Sequence, residues 1–245
     1  MRKDSVTLPR DAIGTCGFAI IRGVFAEPEC QRLSAALELE LAGCADEATS
    51  LRRHNGAIYG ARNLLEIFPL AKTVWQREPL LDLLTSVLGN RFGLVRGLFF
   101  DKSPESNWSL PWHQDLTIAV RDNTLPSSHF KNPTRKAGVP HVEAPREILE
   151  RMLTLRIHLD NVTPENGPLR VLAGSHQQDS LSDKDSETMI IANAGDVLAM
   201  RPLLYHCSSS SNSATHLHRR IIHLEFASFP DLPDGYAWRH FIPID

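Results

Sequence analysis

A histidine and an aspartate lie two positions apart in LPWHQDLTIAV, Leu110 to Val120, with Trp112 in front of them. Residues i and i+2 of an extended chain project to the same side, so His113 and Asp115 can offer an imidazole and a carboxylate to one ion without distorting the backbone. Iron(II) that must also bind an organic cosubstrate and oxygen wants few protein ligands. Two neutral imidazoles and one carboxylate on one face of an octahedron leave three positions open. The third ligand must then come from a distant strand folded back alongside. His206, which follows the apolar run in RPLLYHCSSSSN, is the candidate.

The chain holds a second triplet of the same form, His158–Leu159–Asp160, in RIHLDNVTPENGPLRVLAGSH. Here Asp160 and Asn161 open a turn, with Pro164 and Asn166–Gly167 after it, which is hairpin chemistry. Asp160 is better explained as a turn-capping carboxylate than as a ligand. The four cysteines, Cys16, Cys30, Cys44 and Cys207, show neither zinc-type pairing nor disulfide-like density. They fit reduced thiols in a cytoplasmic protein. Cys207 sits beside His206, but as a strand neighbour it points the other way.

Elements that could position these groups follow from the periodicity. GFAIIRGVF reads as a strand. AEPECQRLSAALELELAG reads as a helix, with Leu33, Leu37 and Leu41 on one face, Pro28 near its start and Gly43 near its end. EPLLDLLTSVLGN repeats that punctuation with Pro79 and Gly89. From Leu94 onward the period becomes extended: LVRGLFFDK, QDLTIAV, MLTLRIHL, GPLRVLAG, DVLAMRPL and RRIIHLEFASF are short runs bounded by turn residues. The expected architecture is mainly β, a sandwich or barrel with helices packed on one side. It is one domain, with a helical preface over about 1–92 and a β core over about 93–245. The proline-rich, polar segment 121–150 reads as a long lid-like loop.

Composition narrows the partners. At 245 residues the chain can bury a core without staples, and a formal net charge of −3 gives no reason to expect nucleic acid. MRKDSVTLPRDAIG has no apolar run behind its charges, so no signal peptide is expected, and stretches such as FAIIRGVFA are too short to span a bilayer. A small-molecule partner is expected; the oligomeric state is not legible.

LFFDKSPESNWSLPWHQDLT, LRIHLDNVTPENGPLRVLAGSH, GDVLAMRPLLYHCSSSSN and HRRIIHLEFA, in this order over Leu94 to Ala227, resemble the phytanoyl-CoA dioxygenase family. That resemblance implies a double-stranded β-helix (jelly-roll, cupin-like) core and an Fe(II)- and 2-oxoglutarate-dependent oxygenase. It implies His113, Asp115 and His206 as metal ligands and an arginine, on the strand after the distal histidine, for the far carboxylate of 2-oxoglutarate. Guanidinium suits that task because its fork can hold a carboxylate through two parallel charge-assisted bonds. Arg219 and Arg220 compete. Arg220 shares a face with Ile222, Leu224 and Phe226, whereas Arg219 shares one with His223 and Glu225 and falls at the family position. Arg219 is the choice and Arg220 the fallback. The same resemblance places Ser208, Arg156 and Leu98 near the cosubstrate.

Alternation sets Arg96, Leu98, Phe100 and Lys102 on one face of a strand, and Thr154, Arg156, His158 and Asp160 on one face of another. Such faces usually point to solvent, but in this family they can line the cavity, with His158 as a pocket residue and not a ligand. Tyr59, Arg62 and Asn63 in the helical preface are candidate substrate contacts, and Lys131, Arg135 and Lys136 make the long loop locally basic. Related halogenases replace the carboxylate of the triplet by a small residue, so Asp115 favours hydroxylation: 2-oxoglutarate is decarboxylated oxidatively to succinate and CO2, with O2 as cosubstrate. Two other readings stay open, a cupin-like isomerase or hydrolase that uses the metal without 2-oxoglutarate, and a non-catalytic ligand-binding jelly roll.

Overall fold

The structure, a computed structural model, describes residues 8–44, 50–54, 57–103, 106–178, 187–212 and 215–244. The start of the segment read for a signal peptide, residues 1–7, lies outside the described residues. With strands numbered along the chain, a large sheet has the order β1 (Phe18–Ile21), β12 (Val197–Met200), β9 (Met152–His158), β14 (Arg219–Ala227), β4 (Gly93–Lys102), β3 (Ala57–Ala61) and β2 (Leu51–His54), and β15 (Ile242–Pro243) also pairs with β4. A second sheet has the order β11 (Glu187–Met189), β10 (Leu169–Leu172), β13 (His206–Ser208) and β5 (Leu110–His113). A third contains β6 (Thr117–Ala119), β8 (Val139–Glu143) and β7 (Lys131–Lys136). All pairings are antiparallel. Residues Leu169 and Val171 of the second sheet pack with Leu198 and Met200 of the first, so the two sheets close face to face as a jelly roll does.

Helices α2 (Glu27–Ala42) and α4 (Glu78–Leu88) form where proline at the first turn and a helix-period apolar stripe predict them, and a short helix not read from the sequence, α1 (Pro9–Thr15), precedes them. The Glu29 carboxylate accepts the Ala26 amide at 3.1 Å, closing the first turn of α2, and Gly89 ends α4 at φ +83°, a region that suits glycine. Leu37, Leu80 and Leu84 of these helices join Leu155, Ile157, Ile222, Leu224 and Phe226 in one cluster. Trp75 meets Phe226 edge-on with ring centroids 4.9 Å apart. Each of these large side chains contributes about 1.5–3 kcal/mol by leaving water.

This packing decides which way the alternating strands face. The helices cover the apolar side of β9 and β14, so the opposite side, with Arg156, His158, Arg219, His223 and Glu225, turns into the sandwich and is buried. Polar residues on these strands line the interior, and the usual polar-out expectation fails because both faces are covered.

Two parts of the sequence reading need correction. The segment 121–150 is no plain loop: it carries the β7–β8 hairpin and the short helix α5 (Arg146–Leu149), and β8 also pairs with β6 next to the triplet. The strand read in GFAIIRGVF is present as β1, but the preface is less helical than expected, because β2 and β3 also join the large sheet through β4 and Tyr59 lies on β3. Arg62 and Asn63 stand between β3 and the four-residue helix α3 (Leu64–Ile67).

Candidate metal centre and its cationic wall

His113 ends β5 and stands directly across from His206 on β13, with the two rings 4.2 Å apart between centroids. Asp115 lies just beyond β5, where its backbone N–H donates to the Pro202 carbonyl at 2.9 Å and the Gln114 side chain donates to Leu203 O at 2.6 Å. These bonds, more than strand alternation, aim the carboxylate. Its Oδ2 lies 3.7 Å from His206 Nε2. The ligand-type atoms of His113, Asp115 and His206 all fall within 4.8 Å of one another, and this is the one such group of three among the described residues.

The protonation states suit a cation. His113 Nδ1 donates to Pro111 O at 2.7 Å and His206 Nδ1 to Leu204 O at 2.8 Å; a carbonyl can only accept, so Nε2 of each ring keeps its lone pair for the site. Burial, opposed by Asp115, pushes the His206 pKa down to about 4, so the imidazole is neutral near pH 7. Burial would raise the Asp115 carboxyl, but His206, His223, His113 and Arg96 together outweigh it and hold the group below the usual range.

The second triplet does not converge. His158 is buried on β9 with Nδ1 bonded to Asp196 O at 3.2 Å, and Asp160 receives Arg220 at Nε (2.9 Å), Nη2 (2.7 Å) and the backbone N–H (2.8 Å). Asp160 thus ties the end of β9 to β14. Arg220, the fallback for the cosubstrate carboxylate, is engaged on the sandwich exterior, where it also pairs with Glu38.

Arg219 faces inward. It is 4% exposed, its Nε has no partner, and it makes no ion pair among the described residues. Burial and the nearby Arg156 press its pKa down to about 9. Across the β14–β4 register from it is Lys102, fully buried, whose Nζ donates to Ser208 Oγ at 3.1 Å and to Ser209 O; burial, with Arg219 and Arg156, brings its pKa to about 7. Arg156 donates from Nη1 to His223 Nδ1 at 3.2 Å and leaves its buried Nε unpaired. His223 Nε2 donates to Glu225 at 3.2 Å, and Arg96 pairs with Glu225 at the same distance. Burying an unpaired charge costs several kcal/mol, so a wall holding Lys102, Arg156 and Arg219 is built for an anion.

Lys102 lies on the face that strand alternation predicts, but neither its role nor the Arg156–His223–Glu225–Arg96 chain is visible in the sequence motifs. The inward period of β4 and β14 carried the signal for both. Leu98 lies on that face, 7% exposed and opposite His223. Ser208 is buried, and Cys207, between it and His206, is buried as well. Tyr59 meets Trp108 at a tilt, with ring centroids 5.2 Å apart. Lys131 and Arg135 are exposed, whereas Lys136 is half-buried and bonded to Thr117 Oγ1 at 2.9 Å. Among the described residues no helix is long and apolar enough to cross a membrane.

Solved structures share this architecture. AviO1 from Streptomyces viridochromogenes Tue57 is 22% identical over 95% of this chain and 100% of its own, with a TM-score of 0.61. EctD from S. alaskensis with 2-oxoglutarate and 5-hydroxyectoine is 18% identical over 93% of this chain and 78% of its own, at 0.66. HygX from Streptomyces hygroscopicus with nickel and 2-oxoglutarate is 18% identical over 90% and 87%, at 0.61. At these identities the likeness is one of fold. No curated protein matches the sequence. Residues 15–221 do match one family over most of the chain, and with its jelly-roll core this protein belongs to the phytanoyl-CoA dioxygenase (PhyH) family.

Proposed function

We propose that this chain is an Fe(II)- and 2-oxoglutarate-dependent dioxygenase that hydroxylates a small polar metabolite. One observation carries the reading: a two-histidine, one-carboxylate group stands within reach of the charge of buried Arg156, and Lys102 bonds Ser208 two residues after His206, while Arg156 and Arg219 form no ion pair with a carboxylate among the described residues. Family membership supports an oxygenase of this kind in general, and the neighbours determined with 2-oxoglutarate add to that support.

The residues fit both groups. Two imidazoles with free Nε2 atoms and an ionised carboxylate are the donor set that suits non-haem Fe(II). The orphaned Nε atoms of Arg156 and Arg219 are buried donors in need of acceptors, and a dicarboxylate supplies them. When bound, iron and 2-oxoglutarate supply the oxidising power: the diacid loses CO2 to become succinate, taking one oxygen atom of O2, and the other enters a substrate C–H bond.

The protein's own work is geometric and electrostatic. His113 and His206 are held by their Nδ1 bonds so that neither ring can turn its ligating nitrogen away. Arg219 presents the fork for the far carboxylate, Lys102, about half protonated near pH 7, is drawn to its charged form by that carboxylate, and Ser208 accepts from the Lys102 amine. Arg156 is held by His223, which Glu225 holds in turn. Leu98 and Phe100 on the same strand face limit water.

Anaerobic titration of the protein with Fe(II) and 2-oxoglutarate tests this. The expected result is the weak visible charge-transfer band of a chelated complex, absent in His206→Ala. Metal binding without the band would refute the proposal in favour of a cupin-like isomerase or hydrolase; no metal binding would leave a ligand-binding jelly roll.

A further inference from the structure

A second group of cations lies at the opposite end of β4 from Lys102. Arg62 follows β3 directly, and Asn63, in the left-handed region at φ +58°, turns the chain into α3. The Asn63 side chain donates to Ala137 O at 3.2 Å, at the tip of the β7–β8 hairpin, where Ala137 and Gly138 have φ of +51° and +78°. This bond clamps the segment carrying Arg62 to the hairpin carrying Lys136. Lys136 Nζ reaches Thr117 Oγ1 at 2.9 Å and Arg96 Nη1 reaches Thr117 O at 3.1 Å, so both cations converge two residues beyond Asp115. Arg62, Arg96, Leu98, His141, Arg239 and His240 line a narrow cleft here.

Charge compensation in this cleft is uneven. Arg96 is neutralised by Glu225, and Arg239 and His240 share Glu66. Arg62 has neither a side-chain hydrogen bond nor an ion pair among the described residues, although burial and the charges of Arg96 and Arg52 lower its pKa to about 10. Lys136 has only the neutral Thr117 hydroxyl, and its pKa is lowered by burial, Arg96 and Arg62. The charge of Glu225 reaches both cations and that of Asp115 reaches Lys136, but Glu225 is already engaged by Arg96 and His223, and among the described residues neither Arg62 nor Lys136 has an ion pair of its own. The same 2-oxoglutarate cannot serve both groups. Arg96 and Lys102 are six residues apart on one strand, about 20 Å at ~3.3 Å per residue, too far for a five-carbon diacid.

We propose that Arg62 and Lys136 form a subsite for an anionic group of the substrate, a carboxylate or a phosphate, placed beside the metal centre by the Asn63–Ala137 clamp. It rests on the oxygenase reading for the statement that the bound anion is part of the substrate. The substrate class is thereby narrowed to small metabolites with an oxyanion at one end, and the carbon oxidised is the one that this anchor presents to the metal.

The test titrates inorganic phosphate and, separately, acetate into protein loaded with Ni(II) and 2-oxoglutarate at low ionic strength, with calorimetry as the readout. Saturable binding is expected. Removing a charge-assisted fork from a site of this kind weakens binding roughly tenfold or more, so Arg62→Gln should do so, Lys136→Gln should weaken it severalfold, and Arg135→Gln, an exposed cation on the same hairpin, should not change it. Whichever anion binds more tightly identifies the group. Equal weakening in all three variants would reduce the effect to a diffuse field and overturn the subsite, as would absence of saturable binding. If Arg62→Gln melts early, Lys136→Gln carries the comparison. The Fe(II)/2-oxoglutarate band of the wild-type protein is recorded alongside. A band without anion binding overturns the subsite alone, while Arg62-dependent anion binding without a band keeps the site and refutes its link to an oxygenase.

Discussion

Arg219 and Arg220 are neighbours in sequence with opposite surroundings, and exchanging each for methionine should separate cofactor binding from stability. Arg220 makes two side-chain bonds to Asp160, 2.9 and 2.7 Å long, in a pair whose side chains are 22% and 20% exposed. Asp160 holds the guanidinium proton more tightly than usual, first through these bonds. Exposed pairs contribute about 0–1 kcal/mol and loss of one partner of a buried pair costs roughly 3–5, so this intermediate case is worth about 2 kcal/mol. Asp160 keeps its bond from the Arg220 N–H, which limits the loss. For a chain of this size that is a fall in Tm of roughly 4–8 °C. Arg219 has no ion pair to lose among the described residues and its Nε has no partner, so Arg219→Met should leave the metal-free protein as stable as wild type or more so. Two charge-assisted bonds to a carboxylate, at ~1.5–3 kcal/mol each less what Lys102 retains, make its expected weakening of 2-oxoglutarate binding about 100-fold. The assay is thermal melting of the apo-protein beside anaerobic titration of the 2-oxoglutarate band. Arg220→Met should melt early and titrate normally, and Arg219→Met the reverse. A large change in titration for Arg220→Met, or an equal one for both, would refute the reasoning.

Three further outcomes follow from the same structure. His141 and His158 are buried, with pKa values brought to about 4 and about 3, chiefly by burial. Each is neutral in the fold and takes up a proton on unfolding, so its contribution is complete above the unfolded value of about 6.5 and is lost as pH falls towards the folded one. His141→Gln should remove roughly 3 kcal/mol of acid sensitivity between about pH 6.5 and 4, measured as the difference in urea unfolding free energy across that range; parallel curves for variant and wild type would count against it. Gly195 sits at φ +92° with the Phe25 carbonyl oxygen 1.9 Å from where a Cβ would stand. Gly195→Ala should therefore cost about 3 kcal/mol or more, and an unchanged melting temperature would contradict this close approach. Asp115→Ala should remove Fe(II) affinity at least as far as His206→Ala while leaving the apo-protein folded, read by metal titration and circular dichroism.

The metal centre was legible because its chemistry restricts residue type and spacing at once: His113 and Asp115 two apart, and His206 on a returning strand, are hard to replace by other residues. The inward arginine was legible for a related reason, since the period of β14 separates Arg219 from the apolar set that the helices cover. The same period could not say which face was inside. A strand buried on both sides, with charges towards a cavity, has the pattern of one that is half in water, and only the packing of α2 and α4 on Leu155, Ile222 and Phe226 resolves it. The β7–β8 hairpin was hidden for a different reason. KNPTRK has no apolar alternation and each strand contains a proline, the marks of a loop or an edge strand. Its partner β6 supplies what the local sequence lacks. That is also why the cations of the preface and of the hairpin gave no joint signal: Arg62 and Lys136 are 74 positions apart, and it takes the bond from Asn63 to Ala137 to tie their segments together. Residues that bind the metal must satisfy the ion, so their identity is constrained in any sequence of this kind. Residues that choose the substrate answer only to one another through the fold, and their meaning exists once the sheets have closed.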